Sequence, residues 1–166
     1  KQLALYVVLY SPVVMAADTP ENYAKYPGPF QFIKDVPTDW SDTRVLNGEV
    51  GDYVTIARKE KAGDDWYLGA VGDEEARASQ VTLDFLDAGR SYVAEIYRDG
   101  PGADYRTDAR HAIVIEKKTV RKGDRLTIAL APGGGQAIRF VAGGKPMLPT
   151  AACIDARLSD RIRNGQ

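Results

Sequence analysis

The chain has 166 residues, 44% of them apolar and 27% charged, with 22 basic side chains against 23 acidic ones. That length suits one domain with a sizeable core, and the interspersed charge leaves no basic run able to track a phosphate backbone, so nucleic acid is excluded as a partner. The single cysteine, Cys153, excludes an internal disulfide framework and a cysteine zinc site.

In chain order, the first feature is an apolar run from Leu3 to Ala17. It is interrupted by Ser11-Pro12 and is too short to cross a bilayer, so no membrane partner is expected. It imitates a secretory signal, with a basic first residue and the small pair Ala16-Ala17, but its basic region is one lysine, and we read it as folded chain. LALYVVLY (3–10) is apolar on every face, which predicts a helix enclosed all round. VVMAA (13–17) reads as a strand buried on both faces. Asp18 or Thr19 then caps a helix with Pro20 at its first position and Glu21 in its first turn. A second helical piece is expected near Pro29–Val36, with Phe30, Ile33 and Phe32 as the candidate inward residues.

After Pro37 the pattern changes, and a domain boundary is placed there. Strands are expected at 53–60, 65–71, 79–85, 91–99, 111–120, 124–130 and 136–142, with a shorter one near 44–47. Their turns carry Gly or Asp-Gly, as at Asp99-Gly100 and Pro132-Gly133-Gly134-Gly135. RLTIAL alternates with period two, as a half-buried strand should. Seven to eight strands at this spacing predict a mainly β chain, an antiparallel β-sandwich preceded by a short α/β segment. The tail 143–166 is Pro/Gly-rich and then faintly helical through Ile154, Leu158 and Ile162.

Seven stretches in this order, LALYVVLYSP, MAAD-x-PENY, FQFIKDVP-x-DW, RVLNGE-x-GDYVTIARK, DDWYLG, EIYRDG-x-GAD and LAPGGGQAIRF, closely resemble the C-terminal part of glycoside hydrolase family 97 over residues 1–141. The resemblance implies an α-glucosidase or α-galactosidase parent of the bacterial periplasm, or a secreted one, built as a sandwich, a (β/α)8 barrel and a second sandwich, and dependent on calcium. It makes residues 1–37 the final helix-strand-helix segment of the barrel, 38–142 the C-terminal sandwich and 143–166 an extension. Carbohydrate would be met through a barrel that this chain does not hold. The sandwich would brace that barrel, with homo-oligomer contacts as a further role. Thr19 departs from the leucine expected in the D-L-P-E-N-Y segment, and the tail does not match. The family's catalytic and calcium-binding carboxylates map to no position here, so the chain alone is expected to be inactive and to hold no metal.

Glycoside hydrolysis needs a paired acid and carboxylate. Asp18 and Glu21 are the only acids in the right setting, after the expected last barrel strand, where barrel active sites lie. They either line the sugar pocket or cap the helix at Pro20. In RDGPGADYRTD (98–108), Asp99, Asp104 and Asp108 supply oxygen ligands of the kind calcium takes, but not at EF-hand spacing, and a hairpin loop is the plainer reading. PGGGQ (132–136) lacks the Lys-Ser/Thr of a phosphate loop and reads as a turn. Trp40, Trp66 and Tyr67 suit either core packing or a sugar-stacking platform, which would make the sandwich a carbohydrate-binding module. His111, the one histidine, is expected to begin a strand.

Overall fold

The computed structural model describes residues 1–143. The expected helix at Ile154–Ile162 lies outside the described residues. Three helices, α1 (Gln2–Val8), α2 (Pro20–Ala24) and α3 (Pro27–Asp35), precede eight strands. These are β1 (Trp40–Glu49), β2 (Tyr53–Glu60), β3 (Trp66–Gly72), β4 (Arg77–Thr82), β5 (Ser91–Asp99), β6 (Ile113–Arg121), β7 (Arg125–Leu130) and β8 (Gly135–Ala142). Among the described residues, no helix is long and apolar enough to cross a membrane.

All the strand pairs are antiparallel. Six strands form one sheet in the order β1-β2-β3-β8-β5-β6, and β4 and β7 form a second. The smaller sheet packs through β7 over β3, β5 and β8. Leu68, Ile138 and Phe140 from the large sheet meet Val81, Leu126 and Ile128 from the small one, and Leu83 and Leu86 close the end of this core. β7 alternates as read, with Leu126, Ile128 and Leu130 inward. The other face of the large sheet carries a second core, where Ala4 and Val7 of α1 and Phe32 of α3 pack on Tyr67, Tyr97 and Ala137. The molecule is therefore layered as helices, large sheet, small sheet. β3 has no alternation because both of its faces are covered.

Several expectations are corrected. α1 is buried on one side only: Ala4 and Val7 are enclosed, while Leu9 and Tyr10 beyond its end are exposed. No strand forms at 13–17, where Val13 is 73% and Met15 77% exposed. A doubly buried strand needs neighbours on each side, and none lies beside this stretch among the described residues. β1 runs ten residues rather than four. As an edge strand it needs one partner and tolerates its polar Ser41, Asp42 and Thr43. His111 closes a 3₁₀ turn (Asp108–His111) instead of opening a strand, because the Thr107 hydroxyl accepts from the Ala109 N–H and caps that turn. Thr19 and Pro20 do start α2 as read, and within α3 Phe32 is the fully buried residue, with Phe30 and Ile33 half-buried.

Candidate functional site

The most heavily built region outside the sandwich core is the seam between the helical layer and the large sheet. Gly69 on β3 makes the close approach possible: a Cβ there would stand 2.6 Å from the Ala4 carbonyl oxygen and 2.9 Å from Val7. Arg58, buried on β2, reaches across to the C-terminal end of α1. Its Nε donates to the Val7 carbonyl at 2.7 Å, Nη2 to the Val8 carbonyl at 3.4 Å, and Nη1 to the Thr43 hydroxyl at 3.1 Å. A cation at the helix C-terminus meets carbonyls that have no intrahelical donor. Burial lowers the Arg58 pKa, and the nearby Tyr10 phenol opposes that shift.

A second arginine, Arg139 on β8, ties down the end of α3. Nη1 pairs with Asp35 at 2.8 Å, and Nε and Nη2 each lie 3.0 Å from Asp65. Asp65 also accepts the Ala142 N–H, and the Tyr67 hydroxyl donates to the Asp35 carbonyl at 2.9 Å. Burial opposes the Arg139 charge, but Tyr67, Asp65 and Asp35 outweigh it and hold its pKa above the usual value. Around this network the rings of Phe32, Trp40, Tyr67 and Tyr97 pack edge to face, at 5.2–6.1 Å between centroids. Neither arginine was singled out by sequence reasoning. Each did leave a signal: Arg58 follows Val54 and Ile56, and Arg139 follows Ala137, on what is otherwise an apolar stripe facing the helices.

A cleft of about 500 Å³ opens where α2 and α3 meet β5 and the 3₁₀ turn. The helical segment contributes Asp18, Asn22 and Phe30, and the sandwich contributes Arg98, Arg110 and His111. Asp18 accepts from Asn22 Nδ2 at 2.6 Å and from the Thr19 N–H at 2.7 Å, which hold its carboxyl below the usual range. It is an anion at neutral pH and has no proton to give a leaving group. Glu21 is exposed and does not line the cleft. The two acids are therefore not brought together on one cavity.

The loop acids have structural work. Asp99 Oδ2 accepts the Gly135 and Ala131 N–H groups and holds the PGGGQ turn, and Asp104 accepts the Arg106 N–H beside the Arg106 guanidinium. Among the described residues no three of His, Cys, Asp and Glu converge as a metal cage. Asp99 is committed to backbone donors and Asp104 faces a guanidinium, so neither converges with the exposed Asp108 on a shared cation site. The aromatic platform is also corrected. Trp66 and Tyr67 are successive strand residues, so they point to opposite faces, and each is buried in a different core.

The model of the glycosyl-hydrolase 97 C-terminal domain, described as an oligomerisation domain, matches residues 39–141. The chain belongs to glycoside hydrolase family 97. A retaining alpha-galactosidase from Bacteroides thetaiotaomicron is 40% identical over 145 residues, which is 84% of this chain and 20% of that protein. A probable retaining alpha-galactosidase from Streptomyces bingchenggensis is 30% identical over 136 residues, covering 82% and 19%. Among solved structures, a variant of a Glycoside Hydrolase Family 97 enzyme from Pseudoalteromonas sp. strain K8 aligns at a TM-score of 0.83 and 54% identity, over 86% of this chain and 22% of that one. This family 97 chain thus spans about a fifth of the length of the curated relatives it matches. What it carries of the family is the C-terminal oligomerisation domain.

Proposed function

We propose that the chain serves as the C-terminal part of an α-glycosidase, in which residues 1–37 complete the catalytic barrel and residues 38–142 brace it and join copies of the enzyme. One observation carries this reading. The helical layer is fixed to the large sheet by Gly69, Arg58 and Arg139, while Leu9, Tyr10, Val13 and Met15 on its outer side are exposed. That outer side is where a barrel would sit, and 13–17 is the extended stretch its neighbouring strands would flank. An exposed apolar stretch of this kind promotes association.

The reaction of the parent is hydrolysis of terminal α-linked galactose or glucose with retention; the names of the curated relatives support galactose and retention. In a retaining mechanism one carboxyl protonates the leaving oxygen and a second forms the glycosyl-enzyme bond. Both belong to the barrel upstream. Asp18 and Glu21 are assigned to the rim of its sugar pocket, without a proton-transfer role. Calcium is held by the parent's barrel, and the enzyme works in the periplasm or outside the cell.

Incubation of the purified 166-residue chain with aryl α-galactoside and aryl α-glucoside, with and without calcium, tests the assignment. No turnover is expected from the chain, and turnover is expected once the upstream barrel is supplied in the same polypeptide. Turnover by the chain alone, surviving repeated purification, would overturn it. Sedimentation velocity over a concentration series tests assembly: species larger than a monomer are expected, and a monomer at every concentration refutes that part.

A further inference from the structure

With a barrel on the outer side of the helices, copies of the enzyme cannot meet there, and the joining surface has to be on the sandwich. An unpaired strand edge is a template for a second chain. Among the described residues the two sheets leave four such edges: β1 and β6 on the large sheet, β4 and β7 on the small one. The small sheet lies over the middle of the large one. β1 stands across an open groove from β4, with Asp42, Arg44 and Leu46 on one side and Gln80 and Thr82 on the other, so an approaching copy meets β1 first. On β7 the Ala129 N–H already donates to the Gln136 side chain at 3.3 Å. The outermost strands, β1 and β6, remain.

β6 is guarded by charge. Glu116, Lys117 and Lys118 fill its middle, and a two-fold copy of this strand would set Lys117 against Lys117. Like charges directly opposite are destabilising, and lysines are a common edge guard. β1 differs. Its pairing with β2 is irregular between Trp40 and Asp42 and again between Val45 and Asn47, which leaves Asp42-Thr43-Arg44-Val45 as a regular run between two bulges. Thr43, Arg44 and Val45 are exposed. Asp42 and Arg44 project to the same face, where they pair at 2.9 Å within one chain. An acid, a neutral residue and a base thus follow one another along the edge. Turned antiparallel on itself about Thr43, this run is self-complementary: Thr43 faces Thr43, and each Asp42 faces the Arg44 of the other copy. Threonine pairs and opposite charges are favourable cross-strand neighbours, and self-complementarity is what a two-fold interface demands. α1 lies over β3, β8 and β2, so the helical layer leaves this edge open.

We propose that β1 is the interface between two copies of this chain: the two β1 strands pair antiparallel about a two-fold axis at Thr43 and join both large sheets into one continuous sheet. The two Asp42–Arg44 pairs then merge into one network across the axis. The proposal rests on the reading that this domain joins copies of the enzyme, and it names the surface that does so.

The test is sedimentation velocity on the chain carrying Leu9→Lys and Met15→Lys, so that the side reserved for the barrel does not contribute. A dimer is expected to remain. Arg44→Asp, at an exposed position, sets carboxylate against carboxylate and should weaken dimerisation at least about tenfold. Exchanging the two charges, Asp42→Arg with Arg44→Asp, should restore it. Circular dichroism checks that each variant is folded. Cross-linking locates the axis. With Cys153→Ser removing the one native thiol, Thr43→Cys should form a disulfide-linked dimer under mild oxidation, because facing residues of an antiparallel pair have Cα atoms about 4.5–5.5 Å apart. Val45→Cys should not, since its two copies would stand about 13 Å apart along the strands. A monomeric Leu9→Lys, Met15→Lys chain, a dimer indifferent to Arg44→Asp, a charge exchange that restores nothing, or cross-linking at Val45 instead of Thr43 would each overturn this interface and leave the joining role in place. A monomer at every concentration of the unsubstituted chain would overturn the joining role and the interface with it.

Discussion

Gly69→Ala is the sharpest probe of how the helical layer is attached. The added Cβ would lie 2.6 Å from a backbone oxygen of α1, where ordinary contacts begin at 3.4 Å, so α1 must retreat by about 0.8 Å (3.4 − 2.6) or leave. Backbone cannot swing aside as the tip of a flexible side chain can, and overpacking of this kind costs about 1–3 kcal/mol. In a chain of this size that corresponds to a fall of roughly 2–12 °C in Tm. Thermal unfolding followed by circular dichroism measures it, and amide exchange locates it. The Leu5 and Leu9 N–H groups, bonded to the Lys1 and Leu5 carbonyls, should lose at least about tenfold in protection, because local opening becomes easier. The amides of Ile128 and Ile138, deep in the sandwich core, should keep theirs. Gly51→Ala is the control: its φ of +93° makes any side chain strained, but nothing lies within 4 Å, so it should cost about 1 kcal/mol and leave α1 protected. Unchanged exchange at Leu5 and Leu9 in Gly69→Ala would refute the close approach. Equal loss at Ile128 would refute the layered description.

Arg139→Met removes the cation shared by Asp35 and Asp65 and leaves two partly buried carboxylates unpaired. A loss of about 2 kcal/mol is expected from charged hydrogen bonds of this kind, read as a lower urea midpoint, and an unchanged midpoint would count against the network. At alkaline pH the tyrosines at the seam give a signed prediction. Burial raises the Tyr97 pKa to about 12, and it raises Tyr67 further still. Between pH 10 and 12 the unfolded chain has released these protons while the folded chain keeps them, so stability is full below pH 10 and falls as pH rises. A titration at 295 nm should show at least two of the nine tyrosines ionising only as the chain unfolds, and Tyr97→Phe should flatten the decline of Tm. Leu9→Lys with Met15→Lys should reduce association in light scattering while leaving Tm within about 1 °C, since both residues are exposed. Unaltered association would place the contact elsewhere.

The sandwich was legible because its strands follow local rules. β7 shows its burial in its alternation, and the PGGGQ turn and the Thr19-Pro20 helix start were read from residues within a few positions of each other. The seam was not, because its partners are far apart in the chain: Arg58 binds carbonyls 50 and 51 residues earlier, and no window of sequence shows that a helix end will arrive there. VVMAA failed for a different reason. Its apolar run reads as a doubly buried strand, but a strand forms only where its ladder partners are present, and among the described residues none lies beside it. Trp66-Tyr67 was open to correction from sequence alone, since neighbours in a strand cannot share one flat platform. Asp18 and Glu21 stand three residues apart, yet only Asp18 reaches the cleft beside β5.

The seam also bears on where this protein can be cut. The family domain begins at residue 39, and a polypeptide trimmed there would look tidy on paper. It would remove Ala4, Val7 and Phe32 and leave Tyr67, Tyr97 and Ala137 facing water across the middle of the large sheet. The border in the sequence runs through the interior of a folding unit. A recombinant sandwich meant to stay dispersed should keep residues 1–38, or replace those aromatic positions with polar ones. Natural chain rearrangements that shuffle this domain face the same constraint: the piece that travels well is the sandwich together with its helical cover.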